Sequence, residues 1–220
     1  MKHLLVIVLS VLLFASCEKD AYESGDGKYS YIRTDFAEVH TLATGVVDYA
    51  ITDENDSVAF NPNALVSWTS TPDSVYRALV YYYNNIEDGA TSVYSINQVL
   101  ITNYRLKSEF KNIYTDPVTF NSAWLSNNRK YLNIGLSVKT GVQDGLDNKQ
   151  SVDIMCDSII NNNDGTHDIY LRLWHNQNDV PEYYSVSTYL SMPLKGISEG
   201  SNIHLTVNTY KGTVTKELTY

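Results

Sequence analysis

Hydrophobic and polar positions along this chain follow two patterns. From Leu4 to Ala15 the residues are apolar except for Ser10, whereas beyond residue 28 short runs alternate with a period of two and are punctuated by Asn, Asp and Gly. Helix-period stretches are nearly absent. Alternation of this kind puts successive side chains on opposite faces of a strand. In the first half it predicts strands near 28–37, 45–52, 74–83 and 93–106, with a short one around Val58, and Asp53-Glu54-Asn55-Asp56 turns the chain between two of them. Five such strands suit a small closed barrel of the oligonucleotide/oligosaccharide-binding (OB) type. The segment 74–83 sets Tyr76, Ala78, Val80 and Tyr82 opposite Leu79, Tyr81 and Tyr83, so it should be covered on both faces.

Around 107–118 the alternation lapses, and Asp116-Pro117 cannot continue a central strand. Further strands are predicted near 118–124, 130–139, 151–159, 167–175, 183–192, 202–210 and 213–219. In the second of these Leu132, Ile134, Leu136 and Val138 face one way while Tyr131, Asn133, Ser137 and Lys139 face the other. Asn163-Asp164-Gly165 and Lys211-Gly212 are hairpin turn signals. The expected architecture is all-β: a small OB-like barrel over 29–112, followed by a seven-stranded antiparallel β-sandwich over 113–220.

The N-terminal apolar run has the length of a signal peptide, with Lys2 and His3 before it and the small residues Ala15 and Ser16 ahead of Cys17. A membrane-spanning helix needs about 20 apolar residues, and Glu18, Lys19 and Asp20 end this run well short of that. Phe14-Ala15-Ser16-Cys17 resembles a bacterial lipobox, with Phe14 where an aliphatic residue usually stands. Residues 1–17 thus read as a lipoprotein signal ending at a lipidated Cys17, and 18–28, with Gly25-Asp26-Gly27, as a tether. Acyl chains contributing about 0.8 kcal/mol per buried methylene would hold the protein to a membrane without inserting it. The expected location is the Gram-negative cell envelope, at the outer membrane; Glu18-Lys19-Asp20 looks something like a short acidic surface-export signal, and the sequence leaves the periplasmic or surface face open.

Composition narrows the partners. The formal charge is -9 and Lys and Arg are not clustered, which argues against nucleic acid and against anionic lipid surfaces. Eighteen tyrosines against five phenylalanines suit half-exposed strand surfaces, where a ring packs and a hydroxyl meets water. With Cys17 lipidated, Cys156 has no intramolecular partner. Alternation sets Cys156 beside Val152 and Ile154, as a small buried hydrophobe rather than a reactive thiol.

The lipoprotein-like N-terminus, the run Gly27-Lys28-Tyr29-Ser30-Tyr31-Ile32-Arg33-Thr34-Asp35-Phe36, the stretch Tyr131-Leu132-Asn133-Ile134 and the run His175-Asn176-Gln177-Asn178-Asp179-Val180-Pro181-Glu182-Tyr183-Tyr184 together resemble the NigD-like lipoproteins. The resemblance spans almost the whole chain and implies an N-terminal OB-like domain followed by a C-terminal β-sandwich. The family name comes from a gene beside a bacteriocin operon, so an immunity role is implied by association only. No catalytic or binding residue carries over.

Gly196-Ile197-Ser198-Glu199-Gly200 matches the G-x-S-x-G nucleophile pattern, but a strand follows it, and the one later histidine, His204, comes six residues on with no intervening helix. A hydrolase at Ser198 is therefore the weakest reading. His40, His167, His175 and His204 are scattered without metal-ligand spacing, and His175, sharing a face with Ile169, Leu171 and Leu173, reads as a hydrogen-bonded strand-end residue. Asn161-Asn162-Asn163-Asp164-Gly165 and Asp144-Gly145-Leu146-Asp147 offer oxygens but not the spacing of a calcium loop, and read as turns. No metal or cofactor is expected. If residues 167–192 form a hairpin, Tyr170, Arg172 and Trp174 share an outer face with Tyr183 and Tyr189, beside Ser185, Ser187 and Ser191. Rings mixed with small polar groups suit a glycan or protein ligand, although cross-strand tyrosine pairs on a solvated sheet would look the same. The sequence reads as a non-catalytic envelope lipoprotein in an accessory, bacteriocin-immunity-like role, with a surface glycan-binding protein as the alternative.

Overall fold

A computed structural model describes residues 31–83 and 89–220; the expected signal peptide, Cys17 and the tether lie outside the described residues. Among the described residues its regular elements are chiefly strands, with a 3-10 turn at Lys107–Glu109. Strands β1 (Ile32–Ala43), β2 (Val46–Thr52), β3 (Ser57–Leu65), β4 (Ser74–Tyr83), β5 (Ala90–Thr91) and β6 (Val93–Gln98) form a sheet in the order β5-β3-β2-β1-β4-β6. β5 pairs parallel with β3, and β6 antiparallel with β4. These outermost strands are one segment interrupted at Ser92, so a single stretch of chain holds both ends of the sheet and curls it into an OB-like barrel. Val39, Val47, Ala50, Phe60, Val80 and Tyr82 fill its core.

β1 runs six residues beyond its expected end, continuing the alternation through Ala37, Val39 and Thr41, each 0 % exposed. The polar look of Thr41 concealed this. Its hydroxyl donates to the carbonyl of Thr71 at 2.8 Å and accepts from the Ser74 amide at 3.1 Å, so the buried group is satisfied.

The sandwich follows. β7 (Leu100–Ile101), β9 (Thr119–Leu125), β10 (Tyr131–Thr140) and β13 (Tyr184–Pro193) form one sheet in the order β7-β13-β10-β9. The other, in the order β15-β14-β12-β11-β8, contains β8 (Arg105–Leu106), β11 (Ser151–Asn161), β12 (His167–Asn176), β14 (Asn202–Thr209) and β15 (Gly212–Thr219). The seven strands expected after residue 113 are β9 to β15. Most pairs are antiparallel, but β12 and β14 run parallel, and the unexpected β7 and β8 join parallel to β13 and β11. The strand expected over 93–106 is therefore three pieces pairing with three different sheets, which a continuous apolar pattern could not reveal. Strand pairing places 100–106 with the sandwich, ahead of the division expected near residue 112.

Between the sheets Leu132, Ile134 and Leu136 meet Leu171, Leu173 and Leu205, all at most 2 % exposed; each such side chain contributes roughly 1.5–3 kcal/mol by leaving water. Cys156 belongs to this core, and burial pushes its thiol pKa up.

Barrel and sandwich meet through β4, which is buried on both faces as its sequence implied. Ala78, Val80 and Tyr82 point into the barrel, while Arg77 reaches the sandwich. The Arg77 guanidinium grips Asp53 with two bonds of 2.7 and 2.6 Å, donates to Ser191 Oγ at 3.2 Å and Asn133 Oδ1 at 3.2 Å, and lies 4.2 Å from the Tyr131 ring centre. Nearby, Glu38 of β1 accepts from Lys130 Nζ at 2.6 Å and Tyr131 Oη at 2.8 Å. Burial drives the Glu38 carboxyl pKa upward, but these two bonds outweigh it and hold the group below its ordinary value.

Candidate functional site

The five aromatic and basic residues expected on one face do not share one. β12 and β13 belong to opposite sheets, so the hairpin expected over 167–192 does not exist. Alternation along β12 holds, with Ile169, Leu171 and Leu173 buried and Tyr170, Arg172 and Trp174 turned outward. Tyr189 projects from the outer face of the other sheet toward the barrel, packing edge-on against Phe36 at 5.1 Å. Its ring also covers Gly135, its cross-strand partner, where a Cβ would lie 3.2 Å from the ring. Tyr183, just before β13, covers Gly141 in the same manner.

Of the β12 trio, Tyr170 stacks on His204 at 4.6 Å, and Arg172 donates twice to Asp157 Oδ2, at 2.9 and 2.7 Å. Trp174 is different: the segment from β8 to β9, which the sequence left without structure, lies across it. The Trp174 indole donates to the Asn112 carbonyl at 3.0 Å, and the Tyr114 carbonyl accepts from the His175 amide at 3.2 Å. Phe110 and Tyr114 flank the indole, each at 5.6 Å between ring centres.

Together with Arg105, Lys111 and Glu109 these rings line a cleft of about 300 Å3, at the small end of the roughly 300–1,000 Å3 of ligand sites. The Arg105 guanidinium lies 4.1 Å over Phe110 and binds Asp153 Oδ2 through Nε and Nη2, at 3.0 and 2.6 Å. A second hollow, of about 540 Å3, shares the Tyr114 wall and is lined by Asp116, Asn176, Gln177, Asn178, Asp179 and Glu182. Its amides are mostly engaged: Gln177 Nε2 donates to the Lys139 and Val180 carbonyls, and Asn178 Nδ2 to that of Lys149. Sequence reasoning found Trp174 but missed Phe110, Tyr114, Arg105 and Lys111, because they lie where alternation lapses. The signal available was three apolar residues, Phe110, Ile113 and Tyr114, in an otherwise polar stretch.

The remaining motifs have structural settings. Ser198 sits in consecutive turns between Gly196 and Gly200, both at positive φ, and His204 turns to Glu217 at 3.4 Å and to Tyr170. His175 is buried between the Asp116 carbonyl and Gln150 Oε1, each at 3.0 Å. Asp164 accepts from the Thr166 hydroxyl at 2.7 Å and the Thr166 amide at 3.0 Å, closing a turn and lowering its own pKa. Among the described residues no helix is long and apolar enough to cross a membrane.

Residues 101–220 match the family model of the NigD-like C-terminal beta sandwich domain, more than half of the chain. The chain belongs to the NigD-like family. Solved structures reproduce the NigD-like architecture across both halves. A NigD-like immunity protein from Bacteroides caccae is 20 % identical with a TM-score of 0.61, over 84 % of this chain and 91 % of its own. A putative toxin-related protein from Parabacteroides distasonis is also 20 % identical with a TM-score of 0.61, over 86 % and 93 %. A putative lipoprotein from Bacteroides fragilis is 10 % identical with a TM-score of 0.56, over 85 % and 96 %. At these identities the likeness shows the fold. No curated protein matches the chain.

Proposed function

We propose that this NigD-like chain is a lipid-anchored protein of the cell envelope that binds a partner without transforming it. Lipidation at Cys17 supplies the membrane attachment, and the outer membrane is the proposed location. The observation that carries the reading is the solvent-open ring set of Phe110, Tyr114 and Trp174, beside which Ser198, Cys156 and His175 each serve a turn or a core. An accessory, immunity-like role agrees with the names of the related structures, one an immunity protein, one toxin-related and one a lipoprotein. Affinity capture from detergent-solubilised envelopes should return a reproducible protein partner; its absence in repeated experiments counts against this role.

A second reading, surface glycan binding, is favoured by Trp174 and its flanking rings. Aromatic faces stack on the apolar face of a sugar while polar rims meet its hydroxyls. Trp174→Ala should abolish any signal on a glycan array.

A further inference from the structure

The charge around Trp174 differs from that of the molecule. The protein carries a formal charge of -9, yet around the cleft Arg105 and Lys111 balance two carboxylates, Asp153, which pairs with Arg105, and Glu109. The Glu109 carboxylate accepts a 2.6 Å bond from the Leu106 amide, which orders the 3-10 turn. Arg105 commits Nε and Nη2 to Asp153, leaving Nη1 uncommitted, and its stacking on Phe110 fixes the plane in which Nη1 is presented. Beyond Tyr114 the polarity reverses, because the neighbouring hollow carries Asp116, Asp179 and Glu182. One end of this double hollow thus suits an anion, the middle a stacked ring, and the far end neutral hydroxyl groups.

We propose that the Trp174 cleft binds an oligosaccharide containing a uronic acid, with the carboxylate at Arg105 and Lys111, the sugar ring against Trp174, and the next neutral sugar beyond Tyr114. This rests on the glycan reading of the site. A guanidinium and an ammonium beside an aromatic face provide a charge-assisted bond and a platform for one sugar residue.

Isothermal titration of the folded protein with oligosaccharides in which one galacturonic, glucuronic or mannuronic acid is linked to neutral sugars, each compared with its methyl ester, tests the assignment. The ester keeps the sugar and removes the charge. At least one acid oligomer should bind about tenfold more tightly than its ester, the equivalent of one charge-assisted hydrogen bond. Lys111→Ala should shrink that difference, with Arg105 left as the remaining donor, Trp174→Ala should weaken acid and ester alike, and both variants should keep the circular dichroism of the parent. Equal binding of acid and ester overturns the uronate assignment and leaves the glycan reading standing. No binding by any acid oligomer also overturns it, and if a panel of neutral oligosaccharides is silent too, the glycan reading falls with it.

Discussion

His40 stands between two carboxylates, with Nδ1 2.7 Å from Asp48 and Nε2 3.1 Å from Asp73, and its ring stacks on Tyr49. The hydrogen bond to Asp48 and then that to Asp73 raise its pKa above the ordinary imidazole value. A raised folded-state pKa gives stability that is fully present below the unfolded value, about 6.5, and is lost as pH rises through the folded value. Thermal midpoints should therefore fall above neutrality by more in the parent than in His40→Gln, with the two curves converging at alkaline pH. Parallel curves from acid to alkaline pH would show that the ring's charge contributes nothing.

At the level of strands, β10 and β13 show how one missing side chain positions another. Gly135 lies opposite Tyr189, and a Cβ there would meet both that ring and Ser122 Oγ at 3.2 Å. Gly135→Ala should destabilise the protein by about 1–3 kcal/mol, as overpacking does. Because Tyr189 is one of the two obstructing groups, Gly135→Ala combined with Tyr189→Ala should cost less than the sum of the two, measured by urea denaturation; strict additivity would show that the ring is not in the way. The sequence showed the period of β10, the burial of both faces of β4 and the outward trio on β12, because alternation records which way a side chain points. It could not show which sheet a strand joins. Hence alternation alone groups Tyr189 with Trp174 although it belongs to the barrel contact, and it gives no sign of Phe110 and Tyr114 because an irregular segment laid over a sheet has no period to read.

For the molecule as a whole, the contact between barrel and sandwich decides whether there is one folding unit or two. Arg77, whose side chain is fully buried, links Asp53 of the barrel to Asn133 and Ser191 of the sandwich. Removing one partner of a buried ion pair costs about 3–5 kcal/mol, since the other charge is left uncompensated. The parent should unfold in urea with coincident fluorescence and circular-dichroism transitions. Arg77→Ala should lower the midpoint and separate the two signals, and an unchanged midpoint would mean that the network does not couple the halves.

The stretch from Ala90 to Leu106 gives the barrel both of its outermost strands, then supplies one edge strand to each sandwich sheet. Its two short sandwich pieces cover backbone on β13 and β11 that would otherwise offer bare hydrogen-bonding groups to other chains. Solubility of the sandwich thus depends on its two short edge strands, which come ahead of β9 to β15 in the chain. A fragment started at residue 113 would keep the hydrophobic core yet present two uncapped edges, and aggregation, more than loss of fold, is the hazard it would face.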